Sequence, residues 1–231
     1  MRTFISVCLV VFGLVGPGNA QEKRMPWPEL DAVGRLNIAG QSSCTGTLIS
    51  AQVVLTAAHC LFDQRTGKRL DAEDIEFLAG LRGGSVKARR NVARARVHPD
   101  YRFQRGNAQL GHDIAVLTLD RPISGKSVRP LQLDSRPGAG ELVGVVSYTR
   151  PDTQNPQLQI PCDVLARRMD VLVMSCQVEF GASGAPVFAL RNGKEPRLVS
   201  VISSKAVMDG QSVSIATMLD RVLPGLMGRA G

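Results

Sequence analysis

Between residues 44 and 204 the chain breaks into short runs of β-branched and apolar residues, each closed by a cluster of turn formers. No other feature constrains the fold as tightly. The runs are too short to make stable helices, and their close spacing with Gly- and Pro-rich turns indicates an all-β sandwich or barrel. "CTGTLIS" (44–50) and "VVLTAA" (53–58) flank Ala51-Gln52, a connection of hairpin length. "DIEFLAG", "NVARARVH" and "DIAVLTL" follow. "RPISGKSVRPLQL" (121–133) is rich in turn residues and reads as a crossing segment. A second set runs through "ELVGVVSY", "MDVLVMSC", "APVFAL" and "RLVSVISS". Two β sets joined across residues 121–136 predict two similar lobes, an N-terminal one over 21–125 and a C-terminal one over 126–231. A cleft between lobes is where a site is expected.

The end of the chain carries a different period. Ile215, Met218, Leu219, Val222, Leu223, Leu226 and Met227 recur every three or four residues, which predicts a C-terminal helix with one apolar face. Pro224 is expected to end or kink it.

The start of the chain predicts its compartment. Arg2, the apolar run "FISVCLVVFGLVG", and "PGNA" before the polar "QEKR" have the layout of a secretory signal peptide, residues 1–20, cleaved after Ala20. An apolar run of 13 residues is short for a bilayer span, so no membrane span is expected. The mature chain is expected to be exported, to a periplasm or to the extracellular medium. Cys8 leaves with the leader and Cys44, Cys60, Cys162 and Cys176 remain. An even count in an exported chain predicts two disulfides. Three connectivities are possible, and sequential pairing closes loops with separations of 16 and 14 residues. No C-x₂₋₄-C pair occurs, so a Cys₄ metal site is not expected, and no cofactor is called for.

Composition narrows the partners. A 4% aromatic share gives few stacking platforms, so nucleic acid is not expected. The formal charge of +8 falls to +7 when Arg2 is removed. Its one local cluster, "KARRNVARAR" (87–96), alternates cations with Val and Ala as a half-exposed strand does.

Chemistry is confined to few residues. "GASGAP" (181–186) is a run of small residues in which only Ser183 carries a reactive atom. A serine hydroxyl needs an adjacent base to act as a nucleophile, and histidine is the usual one. The chain has three: His59, His98 and His112. His98 precedes Pro99 and is expected at a strand end in a structural role. His112 and Asp113 are neighbours, so in an extended segment they point to opposite faces. Asp113 opens an apolar run, and a carboxylate at the edge of a core needs a partner such as an imidazole N–H.

These segments together resemble one family. "CTGTLISAQVVLTAAHC" is similar to the histidine segment of chymotrypsin-like (trypsin-fold) serine peptidases. "VHPDYRFQRGNAQLGHDIAVLTL" resembles their aspartate segment, and "GASGAPVF" their nucleophile turn. The order His, Asp, Ser is the family's own, and the likeness covers about residues 33–223. It implies two six-stranded antiparallel β-barrels with the site between them. It further implies His59 as general base and acid, Asp113 as its orienting partner and Ser183 as nucleophile. The backbone N–H groups of Gly181 and Ser183 would form the oxyanion hole, and Cys44–Cys60 matches the family disulfide beside the histidine. Cys162–Cys176 would then brace the second barrel. The α/β-hydrolase elbow is not matched, because Ala185 stands where that motif needs glycine.

The chain departs from the family pattern at informative places. Position 182 is Ala where the trypsin branch has an Asp that pairs with a newly released N-terminus, and "AVGRLNIAG" offers no I-V-G-G start. Leader removal alone is therefore expected to give the mature form. Gln177 stands in or near the place of the trypsin pocket acid, which does not predict cleavage after Arg or Lys. Ser203 in "VISSKA" resembles the strand that pairs with substrate backbone. Ile202 replaces the His that glutamyl endopeptidases carry before that serine, leaving Lys205 as the one pull on acidic side chains there. The expectation is a monomeric exported serine endopeptidase that acts on protein or peptide through an acyl-enzyme. The alternative is a catalytically silent relative that binds a partner through its basic surface.

Overall fold

A computed structural model describes residues 27–104, 110–134, 137–191 and 194–220, with 223 and 226. The leader expected over residues 1–20 lies outside the described residues. Twelve strands form two closed six-stranded antiparallel barrels. The first contains β1 (Val33–Ile38), β2 (Ser42–Ser50), β3 (Val53–Thr56), β4 (Ile75–Ala79), β5 (Ala88–Val97) and β6 (Ala115–Leu119). Its order around the wall is β1-β2-β3-β6-β5-β4. The second contains β7 (Leu142–Ser147), β8 (Gln157–Arg168), β9 (Val171–Met174), β10 (Pro186–Ala189), β11 (Arg197–Met208) and β12 (Gln211–Met218). Its order is β10-β11-β12-β9-β8-β7. Closure removes the exposed edges on which strands of other chains could pair. The segment after β6 makes the crossing between barrels, as its turn-rich sequence predicts.

Three strands escape the sequence pattern, each for a physical reason. β1 alternates Arg35 and Asn37 with its buried Leu36 and Ile38 and carries Gly34, so it lacks the β-branched run that marks the others. β8 buries only Cys162 and Val164 of its twelve residues and carries Pro161 in its middle, which argues against a strand in the sequence. β12 corrects the helix expectation at its near end. Ile215 and Met218 lie in this strand, not on a helical face. Every residue from Val213 to Met218 is buried, which erases the alternation that betrays a strand. Helix is observed at Leu219, Asp220, Leu223 and Leu226, and its three leucines are buried in the first barrel's apolar cluster. Val222, Pro224 and Met227 lie outside the described residues.

Each barrel has its own core. Leu36, Leu48, Val54, Phe77 and Leu117 are fully buried in the first. Val145, Leu172, Val187 and Ala216 are fully buried in the second. Between them Leu30, Val33, Leu78, Val146 and Phe188 pack around Tyr148. The Tyr148 hydroxyl donates to the Leu81 carbonyl at 3.0 Å, so the ring satisfies its polar end inside the seam.

The seam is closest where β2 meets the turn before β10. Gly184 has φ of +81°, and a Cβ there would sit 2.1 Å from Thr56 Oγ1 and 2.2 Å from the Thr45 carbonyl oxygen. Only glycine lets the two barrels approach this closely. Gly184→Ala combines left-handed backbone strain with overpacking, each worth about 1–3 kcal/mol. It is expected to lower unfolding free energy by about 3 kcal/mol in urea titrations, whereas the exposed Gly210→Ala, with nothing near its Cβ, costs only the strain.

Candidate active site

His59 occupies a short 3₁₀ turn, Ala58–Leu61, directly after β3. Small Ala57 and Ala58 let this turn bury against the barrel, and the Cys44–Cys60 disulfide ties its next residue back to β2. A crosslink closing a 16-residue separation contributes about 3 kcal/mol in the chain-entropy model. Cys162 and Cys176 form the second disulfide, joining β8 to the segment after β9. The pairing is the sequential one.

Asp113 lies between a 3₁₀ turn, Leu110–His112, and β6. It is 5% exposed. Its carboxylate accepts from the His59 backbone N–H at 2.9 Å and lies 2.7 Å from His59 Nδ1. An ionised carboxylate only accepts, so Nδ1 carries the proton and Nε2 is left with a free lone pair. The Ser203 hydroxyl also donates to Asp113 Oδ2. That contact has a local cause. β11 slips register against β12 between Ile202 and Ser204, leaving Ser203 as the extra residue of a bulge. Bulges beside sites re-aim side chains in this way. Thr217 of β12 donates to the Leu110 carbonyl, so the second barrel also anchors the Asp113 turn.

Burial and pairing oppose each other in this pair. Burial alone pushes the His59 ring toward a lower pKa, but the Asp113 charge and hydrogen bond outweigh it and hold the ring above 6.5. Burial alone would raise the Asp113 carboxyl. The His59 charge and the hydrogen bonds from His59 and Ser203 win, and it lies below its ordinary value. The stability signs follow. The His59 contribution is present below 6.5 and fades as pH rises through the raised ring value. The Asp113 contribution is present above the usual carboxyl range and fades as pH falls through the lowered value.

Ser183 sits in the turn before β10, half-buried between the barrels. Local bonds shape that turn: Ala182 N–H to the Glu179 carbonyl, Ala185 N–H to the Ala182 carbonyl, and Gly184 N–H to the Ile202 carbonyl. Thr45 of β2 holds it from the other barrel. Its N–H donates to the Ser183 carbonyl and its hydroxyl to the Gly181 carbonyl, both at 2.8 Å. Gly181 has φ of +106°, and a Cβ there would meet the Tyr148 carbonyl oxygen at 2.2 Å. Among the described residues no acceptor is bonded to the N–H of Gly181 or Ser183. Two unspent donors in one turn suit an incoming oxygen that gains negative charge. His59 and Ser183 line one cavity of about 390 Å³ without a direct hydrogen bond between them.

A smaller cavity of about 160 Å³ adjoins Ser183 on its other side, lined by Val178, Ala182, Ile202 and Ser203 below and by Glu179 and Lys205 at the rim. Lys205 Nζ bonds Glu179 at 2.7 Å and lies over the Phe180 ring. Gln177 lines neither cavity. It is exposed, with its backbone N–H and carbonyl bonded by the Gln159 side chain. Ser203, expected to meet substrate backbone, spends its hydroxyl on Asp113. His112 turns away from Asp113 and stacks on His98 at 4.8 Å, and His98 follows the end of β5 with its N–H on the Ile114 carbonyl. Thr45, Tyr148, Glu179, Phe180 and Arg150 were not singled out by the sequence patterns. Only the position of Thr45 directly after Cys44 could have pointed to it.

The architecture and this cleft define a double-barrel fold with a buried His–Asp pair beside a serine turn. A sequence model of the Trypsin family matches residues 18–224, and the chain belongs to that family. Coagulation factor IX of Cavia porcellus is 32% identical over 130 residues, covering 54% of this chain and 40% of that protein. Serine protease 23 of Rattus norvegicus is 29% identical over 176 residues, covering 68% and 45%. The chain thus spans less than half the length of these curated relatives. Among solved structures, a Glu endopeptidase in complex with MPD superposes with a TM-score of 0.71 at 17% identity, covering 86% of this chain and 89% of that one. The thermostable serine protease AL20 gives 0.63 at 16%, covering 83% and 92%. Both share the fold. No helix among the described residues is long and apolar enough to cross a membrane.

Removing the Asp113 charge leaves burial as the dominant influence on the ring. In NMR titrations His59 is expected to titrate above 6.5 in the wild type and below it in Asp113→Asn. An unchanged midpoint in the variant would contradict the pairing described.

Proposed function

We propose that the protein is a serine-type endopeptidase that hydrolyses peptide bonds through an acyl-enzyme. The observation that carries the reading is the buried His59–Asp113 pair, which leaves His59 Nε2 free to accept a proton in the cavity it shares with Ser183. Ser183 Oγ attacks the substrate carbonyl carbon while His59 Nε2 takes its proton. The oxygen of the tetrahedral intermediate gathers charge against the N–H groups of Gly181 and Ser183. One such donor is worth about 10²–10³ in kcat. Asp113 stabilises the imidazolium, which then protonates the departing amine. Water, deprotonated by the same ring, attacks the acyl-serine, and the proton returns to Ser183.

The specificity reading follows from charge. The base of the smaller cavity holds no ionised group, and its rim charges, Glu179 and Lys205, are paired with each other. A basic or acidic side chain entering there gains no free counter-ion. The cavity therefore suits a neutral side chain on the acyl side of the cleaved bond. Cleavage after glutamate, which the name of the Glu endopeptidase neighbour suggests, is not favoured, because Ile202 is buried among apolar residues and Lys205 is already paired.

Activation is read from Ala182. It is 1% exposed inside the second barrel's apolar cluster. An aspartate there would need an ammonium partner, whereas alanine needs none. Leader removal therefore yields the working enzyme. Export fits two disulfides, which persist in oxidising compartments.

A fluorophosphonate probe is expected to label the wild type at Ser183 and not Ser183→Ala. Peptidase activity should fall by about 10⁴-fold or more in that variant. A folded wild type that takes no label would instead identify a silent relative that binds its partner without cleaving it.

A further inference from the structure

The two cavities of the cleft meet at Ser183, and only the larger contains His59. This inference rests on the reading of His59 as the group that protonates the leaving amine. The amine must lie against the ring that protonates it. The chain that follows the cleaved bond therefore leaves through the larger cavity, and the acyl portion occupies the smaller one.

The walls of the larger cavity include the Cys44–Cys60 disulfide, Phe62 and Phe180, with Arg150 at its rim. The Arg150 backbone N–H donates to the Phe180 carbonyl at 3.0 Å, which fixes position 150 beside the glycine of the nucleophile turn. Ser42, Ser43 and Gln64 add neutral polar groups to its lining, and Gln64 spends its amide on the His59 and Phe62 carbonyls at 2.7 and 2.9 Å. Four charged or titratable side chains line the two cavities. His59 is paired with Asp113, and Glu179 with Lys205. Arg150 is exposed, and no described carboxylate pairs with it. The cleft is thus electrically neutral on its acyl side and cationic on its leaving-group side.

We propose that Arg150 is a specificity-determining residue that selects substrates carrying a carboxylate shortly after the cleaved bond. A guanidinium presents a planar fork of donors that matches a carboxylate with two parallel hydrogen bonds. The rim is solvated, so the preference is moderate and weakens with salt. The carboxylate comes from an Asp or Glu side chain, or from the C-terminus of a substrate cut near its end.

The test uses the full chain and internally quenched peptides of one acyl-side sequence. Glu, Gln or Lys is placed at each of the first three positions after the bond, and a matched Gln pair ends three residues on as free acid or amide. The wild type is expected to cleave Glu over Lys at one of these positions by about fivefold in kcat/KM, falling toward unity in high salt. A free acid favoured over its amide assigns the terminal carboxylate as the source. Arg150→Glu should invert the Glu/Lys ratio, an outcome that misfolding cannot produce. Equal rates in the wild type, or a Glu preference that survives in Arg150→Glu, overturn the proposal while leaving the peptidase reading intact. A folded wild type that cleaves none of the peptides and takes no fluorophosphonate label overturns both.

Discussion

The structure turns on Thr45. This fully buried residue of the first barrel makes its backbone N–H and its hydroxyl serve one turn of the second. The hydroxyl gives its proton to the Gly181 carbonyl and accepts the Tyr148 N–H at 3.0 Å. The Thr45 carbonyl in turn accepts from Thr56, the last residue of β3. One side chain therefore couples β2, β3, the nucleophile turn and the start of the segment carrying Arg150. Buried groups with all partners in place rigidify what they join. Loss of the hydroxyl would strand a buried N–H and weaken the hold on a carbonyl, a cost of about 1–3 kcal/mol per unsatisfied group.

Rigidity of that kind matters because the groups proposed to react come from different barrels. His59 and Asp113 belong to the first, Ser183 to the second. Positioning errors of an ångström are costly in catalysis. The seam avoids them by close backbone approach at Gly184, by the buried Tyr148 bridge and by the Ser203 and Thr217 hydroxyls reaching back to the Asp113 turn. The buried Asp113 carboxylate is then held by three donors, the His59 backbone and ring N–H groups and the Ser203 hydroxyl, which keeps it ionised despite its burial.

Much of this was legible in the sequence, and the failures are instructive. Strands whose sequence alternates declared themselves, β5 among them, because its cations alternate with Val and Ala even though only Val92 is buried. β8 did not, since Pro161 interrupts the alternation of Leu158, Ile160, Cys162 and Val164, and a proline inside such a run argues against a strand. β12 passed for helix because burial of both faces removes alternation and leaves chance three-residue spacings. At the site, the structure places His59 and Ser183 on one cavity and buries Asp113 against the His59 ring. Gln177 lines neither cavity, and distance from Ser183 along the chain says little about which way a loop turns. Ser203 was placed in the cleft, but the bulge that aims its hydroxyl at Asp113 depends on strand register. Thr45 lies in the histidine segment and Arg150 in no motif, but the partners of both lie across the seam or on a separate loop.

The central claim is that Ser183 becomes covalently acylated. Brief exposure of the purified protein to an activated ester at mildly acidic pH, followed by intact-mass measurement and peptide mapping, tests it most directly. The account predicts one acyl increment per chain, carried on Ser183 and cleared on raising the pH, as the His59 ring regains its neutral form. A folded protein that gains no mass, or gains it on another residue and keeps it, would contradict the account.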